Sequence, residues 1–165
     1  MRPIAVVSAL ALTAGTALAA TPEIKRDVGA PQANGVVHLV RGLPEACAWI
    51  QGSFTGDAAA PYRIAPARTS PNCQARARLV DAAKVQPSEA KGWTLNDVVR
   101  IPSKDCAGLQ AVVEIWRKPS TAQPIGLDAQ GRARVYLQDA KANASKAPAP
   151  PAYAARMRTE GKVCR

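Results

Sequence analysis

From Val36 onward the chain alternates short apolar, β-prone runs with turn residues, and that rhythm predicts strands rather than helices. The runs are Val36 to Val40, Ala46 to Phe54, Tyr62 to Ile64, Gln74 to Val80, Trp93 to Ile101, Gln110 to Arg117 and Arg132 to Gln138. Between them, Pro71-Asn72, Gly92, Pro102-Ser103, Pro119-Ser120 and Asp128 to Gly131 tolerate or preset turn geometry. The expected fold is therefore mostly β: a single antiparallel sandwich or barrel-like domain of about seven short strands with little helix. Helical turns are expected only at Leu79 to Val85 and Ser88 to Lys91, and Asp139 to Lys146 is polar but helix-permissive. A proline-rich segment at 147–151 interrupts the chain before its end.

Strand alternation assigns faces at several places. In Arg132 to Leu137, Ala133, Val135 and Leu137 would point inward and Arg132, Arg134 and Tyr136 outward. Asp97 falls in phase with Trp93, Leu95, Val99 and Ile101, so Asn96-Asp97 is expected to mark a bulge or a break. Trp49 follows Cys47 by two, which would place both on one face, the indole packed against a disulfide; the alternative is an exposed aromatic anchor for a partner. Trp93 and Trp116 carry the same pair of readings.

The first 19 residues read as a signal peptide. Arg2 supplies the positive end, Ile4 to Leu18 the apolar run, and Ala17-Leu18-Ala19 the small-residue pattern before a cut. Ser8, Thr13, Gly15 and Thr16 make the run a poor spanning helix, so no membrane span is expected after cleavage. Residues 20–35 read as a flexible leader, with prolines at 22 and 31 and no periodicity, and 36–165 as the folded domain. In an oxidising compartment four cysteines, Cys47, Cys73, Cys106 and Cys164, are most simply two disulfides, with three pairings open. Each bridge would stabilise by about 3 to 4 kcal/mol in the chain-entropy model. A bond to Cys164 would also pin the tail. There is no C-x-x-C and only one histidine, so no metal site and no cofactor is expected. The expected location is periplasmic or secreted.

A formal charge of +10 favours acidic partners and opposes self-association. Three Arg-Ala-Arg or Arg-Met-Arg triplets recur: Arg76 with Arg78, Arg132 with Arg134, and Arg156 with Arg158. On strands each pair shares a face, and together with Tyr136 they would form a cationic surface for phosphate, sulfate or carboxylate groups. The simpler account is that arginine keeps the outer face of a strand wet and discourages edge pairing. The leading functional expectation is an exported, non-catalytic binding protein of a bacterial cell envelope whose basic face meets an anionic envelope component or a protein partner. Nucleic acid is less favoured.

No catalytic constellation is visible. His38 stands alone between Val37 and Leu39 and reads as structural. In Gly52-Ser53-Phe54-Thr55-Gly56 the serine sits one place too early for a nucleophile elbow. Two alternatives remain: a small secreted hydrolase using a carboxylate pair, and a periplasmic inhibitor or immunity protein with Asp57 to Thr69 as its disulfide-braced inserting loop. Asn143-Ala144-Ser145 matches a glycosylation sequon, idle in a bacterium.

Overall fold

The computed structural model describes residues 20–121, 129–131, 137–142 and 148–164. Among the described residues seven strands form two sheets. The first has three strands in the order β1 (His38–Leu43), β2 (Ala48–Phe54), β3 (Tyr62–Arg68). In the second, β4 (Arg78–Val80), β7 (Ala152–Glu160), β6 (Gln110–Lys118) and β5 (Thr94–Pro102) lie side by side. The helices are short, α1 (Ala82–Val85) and α2 (Leu137–Ala142). The two sheets face each other as an open sandwich, not a closed barrel. All neighbours are antiparallel except β4 and β7, which run parallel.

The main core lies between the sheets. Leu43, Ile50, Phe54 and Tyr62 from the first meet Ile101, Val113, Ile115 and Tyr153 from the second. A smaller cluster of Trp93, Leu95, Trp116 and Ala154 sits on the outer face of the second sheet, with Val80 and Val85 packed against it. The bulge expected at Asn96-Asp97 separates these two cores. Leu95 pairs with Trp116 on the outer side, the register slips, and Asp97 then pairs with Ile115 facing inward.

The disulfides join sequence neighbours, Cys47 to Cys73 and Cys106 to Cys164, the second tying down the chain end. Several expectations need correction. Trp49 does not share a face with Cys47: Cys47 closes a 3-10 turn in the left-handed region at φ 50°, so strand alternation begins only at Ala48. Cys47 is buried, whereas Trp49 points outward and is 44% exposed; Trp93 and Trp116 are buried. The strand expected over Arg132 to Gln138 falls at 132–136 outside the described residues, and Leu137 and Gln138 belong to α2. The sequon and the signal peptide are also outside them. The seventh strand is Ala152–Glu160, whose alanines and arginines give it little β-propensity of its own; it forms because it pairs along its whole length with β6. β3 runs through Pro66 to Arg68, which an edge strand tolerates.

Residues 20–35 are no loose leader. They have no long element of their own but are strapped along β5: Glu23 and Ile24 donate to the carbonyls of Leu95 and Asn96, Gly29 to Arg100, and Gln32 to Pro102. At the centre of the strap Arg26 Nε donates to both oxygens of Asp97, at 2.8 and 3.1 Å. Asp97 has no exposed surface. Arg41 of β1 brings its Nε within 2.9 Å of the same carboxylate, in ionic contact without hydrogen-bond alignment.

His38 is structural in its contacts. Val36 O lies 3.2 Å from Nδ1, which assigns that nitrogen as the donor, so Nε2 accepts from the Tyr62 hydroxyl at 2.8 Å. Burial holds the imidazole below its ordinary pKa, partly offset by the Val36 hydrogen bond, and burial pushes the Tyr62 phenol up. The backbone of Gly52 passes so close to the Tyr62 ring that a Cβ there would overlap the hydroxyl.

Asp97→Ala leaves two guanidinium groups facing a carboxylate-free cavity and should lower unfolding stability by about 3 to 5 kcal/mol, read by denaturant titration. Trypsin should then cut at Lys25 and Arg26 faster than in the parent. Because the folded state lowers the His38 pKa, the unfolded chain takes up the proton first. Stability is therefore full above about pH 6.5 and falls as pH drops through the depressed folded value. Thermal unfolding from pH 7.5 to 5.5 should show this step in the parent and lose it in His38→Asn.

Candidate functional site

The outer face of the second sheet collects three of the six arginines that the sequence reading singled out, Arg78, Arg156 and Arg158. Register places Arg78, Arg100, Lys118, Arg156 and Arg158 there with two carboxylates, Glu114 and Glu160. Arg76 lies before β4; its N–H and that of Ala77 both donate to the Glu45 carbonyl. Arg78 of the first pair and both members of the Arg156/Arg158 pair thus stand in neighbouring strands. They are offset, since Arg78 lies beside Ala152 and not beside Arg156. Arg132, Arg134 and Tyr136 lie outside the described residues.

The four described arginines are not equally available. Arg158 is ion-paired with Glu160 and stands 3.5 Å from Glu114. Glu160 also accepts from Arg100 at 2.9 Å and from Gln110 at 2.8 Å. These arginines, led by Arg158, hold the Glu160 carboxyl below the usual range. Val112, flanked in register by Arg100 and Arg158, is fully buried. Arg76, Arg78 and Arg156 remain exposed, with no carboxylate in ionic contact among the described residues.

Beside this network lies a trough of about 660 Å³ between the strap and the sheet. Its apolar floor is Leu95, Val98 and Trp116; its basic walls are Lys25 and Arg26 from the strap and Arg100 and Arg158 from the sheet, with Glu114 the one acid. Lys25 has no carboxylate partner among the described residues. The buried Trp116 indole N–H has no acceptor there either, a deficit that costs about 1 to 3 kcal/mol when left unmet. Sequence reading missed this trough because it treated the strap as loose. The signal available was Arg26 together with an Asp in an apolar phase.

The other candidates are less equipped. Asp57 and Asp105 line a pocket of about 200 Å³ against the second disulfide, but each already accepts a main-chain N–H, from Ala59 and Asn34. Glu23 is lowered by its hydrogen bonds to Arg117 and Asn96, and Glu160 by Arg158, the wrong direction for a general acid. Among the described residues no three His, Cys, Asp or Glu side chains are grouped to hold a metal. Within Asp57 to Thr69, Tyr62–Arg68 is strand β3, which leaves 57–61 in the β2–β3 loop, exposed at 57–60. The loop braced by the first disulfide is the next one, where the Arg68 guanidinium donates to the carbonyls of Ser70, Pro71 and Cys73 at 3.0 to 3.2 Å.

Comparison with known proteins adds no identity: no family model, no curated protein and no solved structure matches this chain.

Proposed function

We propose that this protein is an exported, non-catalytic binding module of the bacterial cell envelope that holds an anionic amphiphile in the trough between its N-terminal strap and its four-stranded sheet. The observation that carries the reading is the pairing of an apolar floor, Leu95, Val98 and Trp116, with four basic wall residues, of which Arg26 is paired with Asp97 and Arg100 and Arg158 with Glu160, while Lys25 has no carboxylate partner among the described residues. An acyl chain would cover the floor. A phosphate or carboxylate head would meet Lys25, the wall cation without a carboxylate of its own, with the arginines beside it. Export is supported by two disulfides.

A second reading, a protein inhibitor or immunity factor, is favoured by one specific feature, the Arg68-clamped loop at Ser70 to Cys73. Such preorganisation lowers the entropy lost on docking. Its binding would be insensitive to salt, in contrast to the trough.

Octyl phosphate, kept below its aggregation concentration, should bind the mature protein and shift the Trp116 indole N–H resonance. Octanol and inorganic phosphate alone should bind far more weakly. Affinity should drop as ionic strength rises from 0.01 to 0.15 M, where the screening length shrinks from about 30 to about 8 Å, and Lys25→Glu should weaken it. Equal binding of octyl phosphate and octanol, or a signal unchanged by Lys25→Glu, would overturn the trough reading.

A further inference from the structure

We infer that the free edge of β7 is a strand-addition site for an extended peptide that alternates apolar and acidic residues. Sheet edges invite such pairing unless something blocks them. Three of the edges here are guarded. The strap covers β5, a bulge interrupts β1 between Leu39 and Arg41, and β3 carries Pro66. On the remaining side β4 pairs only with Ala152, Tyr153 and Ala154 before the chain leaves for α1, although β7 continues to Glu160.

The pairing also fixes which backbone groups are open. Arg78 N–H donates to the Pro151 carbonyl, so Pro151 faces β4 and, by strand alternation, so do Tyr153, Ala155, Met157 and Thr159. Beyond the last β4 partner, the N–H and C=O groups of Met157 and Thr159 have no backbone partner among the described residues. Among the described residues no strand lies next to this edge beyond β4, and the space between it and α1 is a cleft. A crevice of about 320 Å³ between the sheets is lined by Ile50, Ile64, Pro66, Leu79 and Ala155, and a cleft of about 660 Å³ shares Ile64, Asp81, Ala82 and Ala155 with it and runs between Arg156 and Met157 on one side and α1 on the other.

Alternation then dictates the occupant. A strand laid against Met157 would turn every second side chain inward, beside Ala155, Met157 and Ile64, where an aliphatic group fits. The intervening side chains would turn outward beside Arg156 and Arg158, where a carboxylate fits. A second copy of this chain is disfavoured by the same register, since Arg156 and Arg158 would meet their own counterparts. The inference does not use Lys25 or Trp116, so it stands or falls separately from the trough.

The probe is the peptide acetyl-(Glu-Val)₃-Glu-amide, titrated into the oxidised mature protein by calorimetry and followed by amide hydrogen exchange. Met157 and Thr159 amides should exchange readily in the free protein and become protected by the peptide. N-methylation of the peptide at residues of one parity should abolish binding while the other parity is spared. Loss on methylating valines indicates an antiparallel addition and loss on methylating glutamates a parallel one. Arg156→Glu should weaken binding by at least about tenfold. A block-order isomer, Glu₄-Val₃, that binds as well would overturn the inference. So would edge amides already protected in the free protein, methylation effects without parity, or concentration-dependent self-association in place of peptide binding.

Discussion

A carboxylate with no exposed surface must be neutralised where it lies, and at Asp97 that requirement draws three separate stretches of chain to one point. Arg26 arrives from the N-terminal strap and Arg41 from the first sheet, while Asp97 itself belongs to the second. The bulge at Asn96 makes this geometry available. Without it, Leu95 and Asp97 would share a face; with it, Trp93 and Leu95 serve the outer cluster while Val99 and Ile101 serve the main core. One apolar phase thereby feeds two cores, and the acid at the changeover is satisfied by guanidinium groups rather than left in hydrocarbon. Even the trough depends on it, because one of its walls is the strap that Arg26 fastens.

Much of the fold could be read from the chain because its signals were local. The β-rich class, the existence of six of the strands, the short helical turns near Ala82 and Glu89, and the Asn96-Asp97 bulge all come from alternation and turn chemistry within a few residues. What escaped depended on distant partners. β7 is a strand because β6 offers it nine paired positions, not because Ala-Tyr-Ala-Ala-Arg prefers one. Trp49 faces outward because a left-handed Cys47 resets the alternation, and the strap is ordered by carbonyls some seventy residues further along the chain. The site was legible to the same degree. Arg78 on β4 and the pair on β7 do share a sheet, but no spacing rule reveals that Glu114 and Glu160 already engage Arg158, or that β4 runs parallel to β7 over only the first three residues of β7.

The open edge of β7 has its own cause in the chain. Upstream, Cys73 is bonded to Cys47, and the N–H groups of Arg76 and Ala77 are both spent on the Glu45 carbonyl, so the chain cannot join the second sheet before Arg78. Downstream, the Asp81 side chain accepts from Ala83 N at 2.9 Å and caps α1, which turns the chain away after Val80. Between these two fixed points only three residues are free to pair. The disulfide therefore does more than restrict the unfolded chain: it helps set the length of β4, and through it the amount of β7 left without a neighbour among the described residues. The opposite side of the sheet is treated differently, since β5 is sealed by the strap. A single sheet thus has one edge closed by its own N-terminal chain and one edge held open by a bridged loop and a helix cap, an asymmetry that gives any added strand only one place to go.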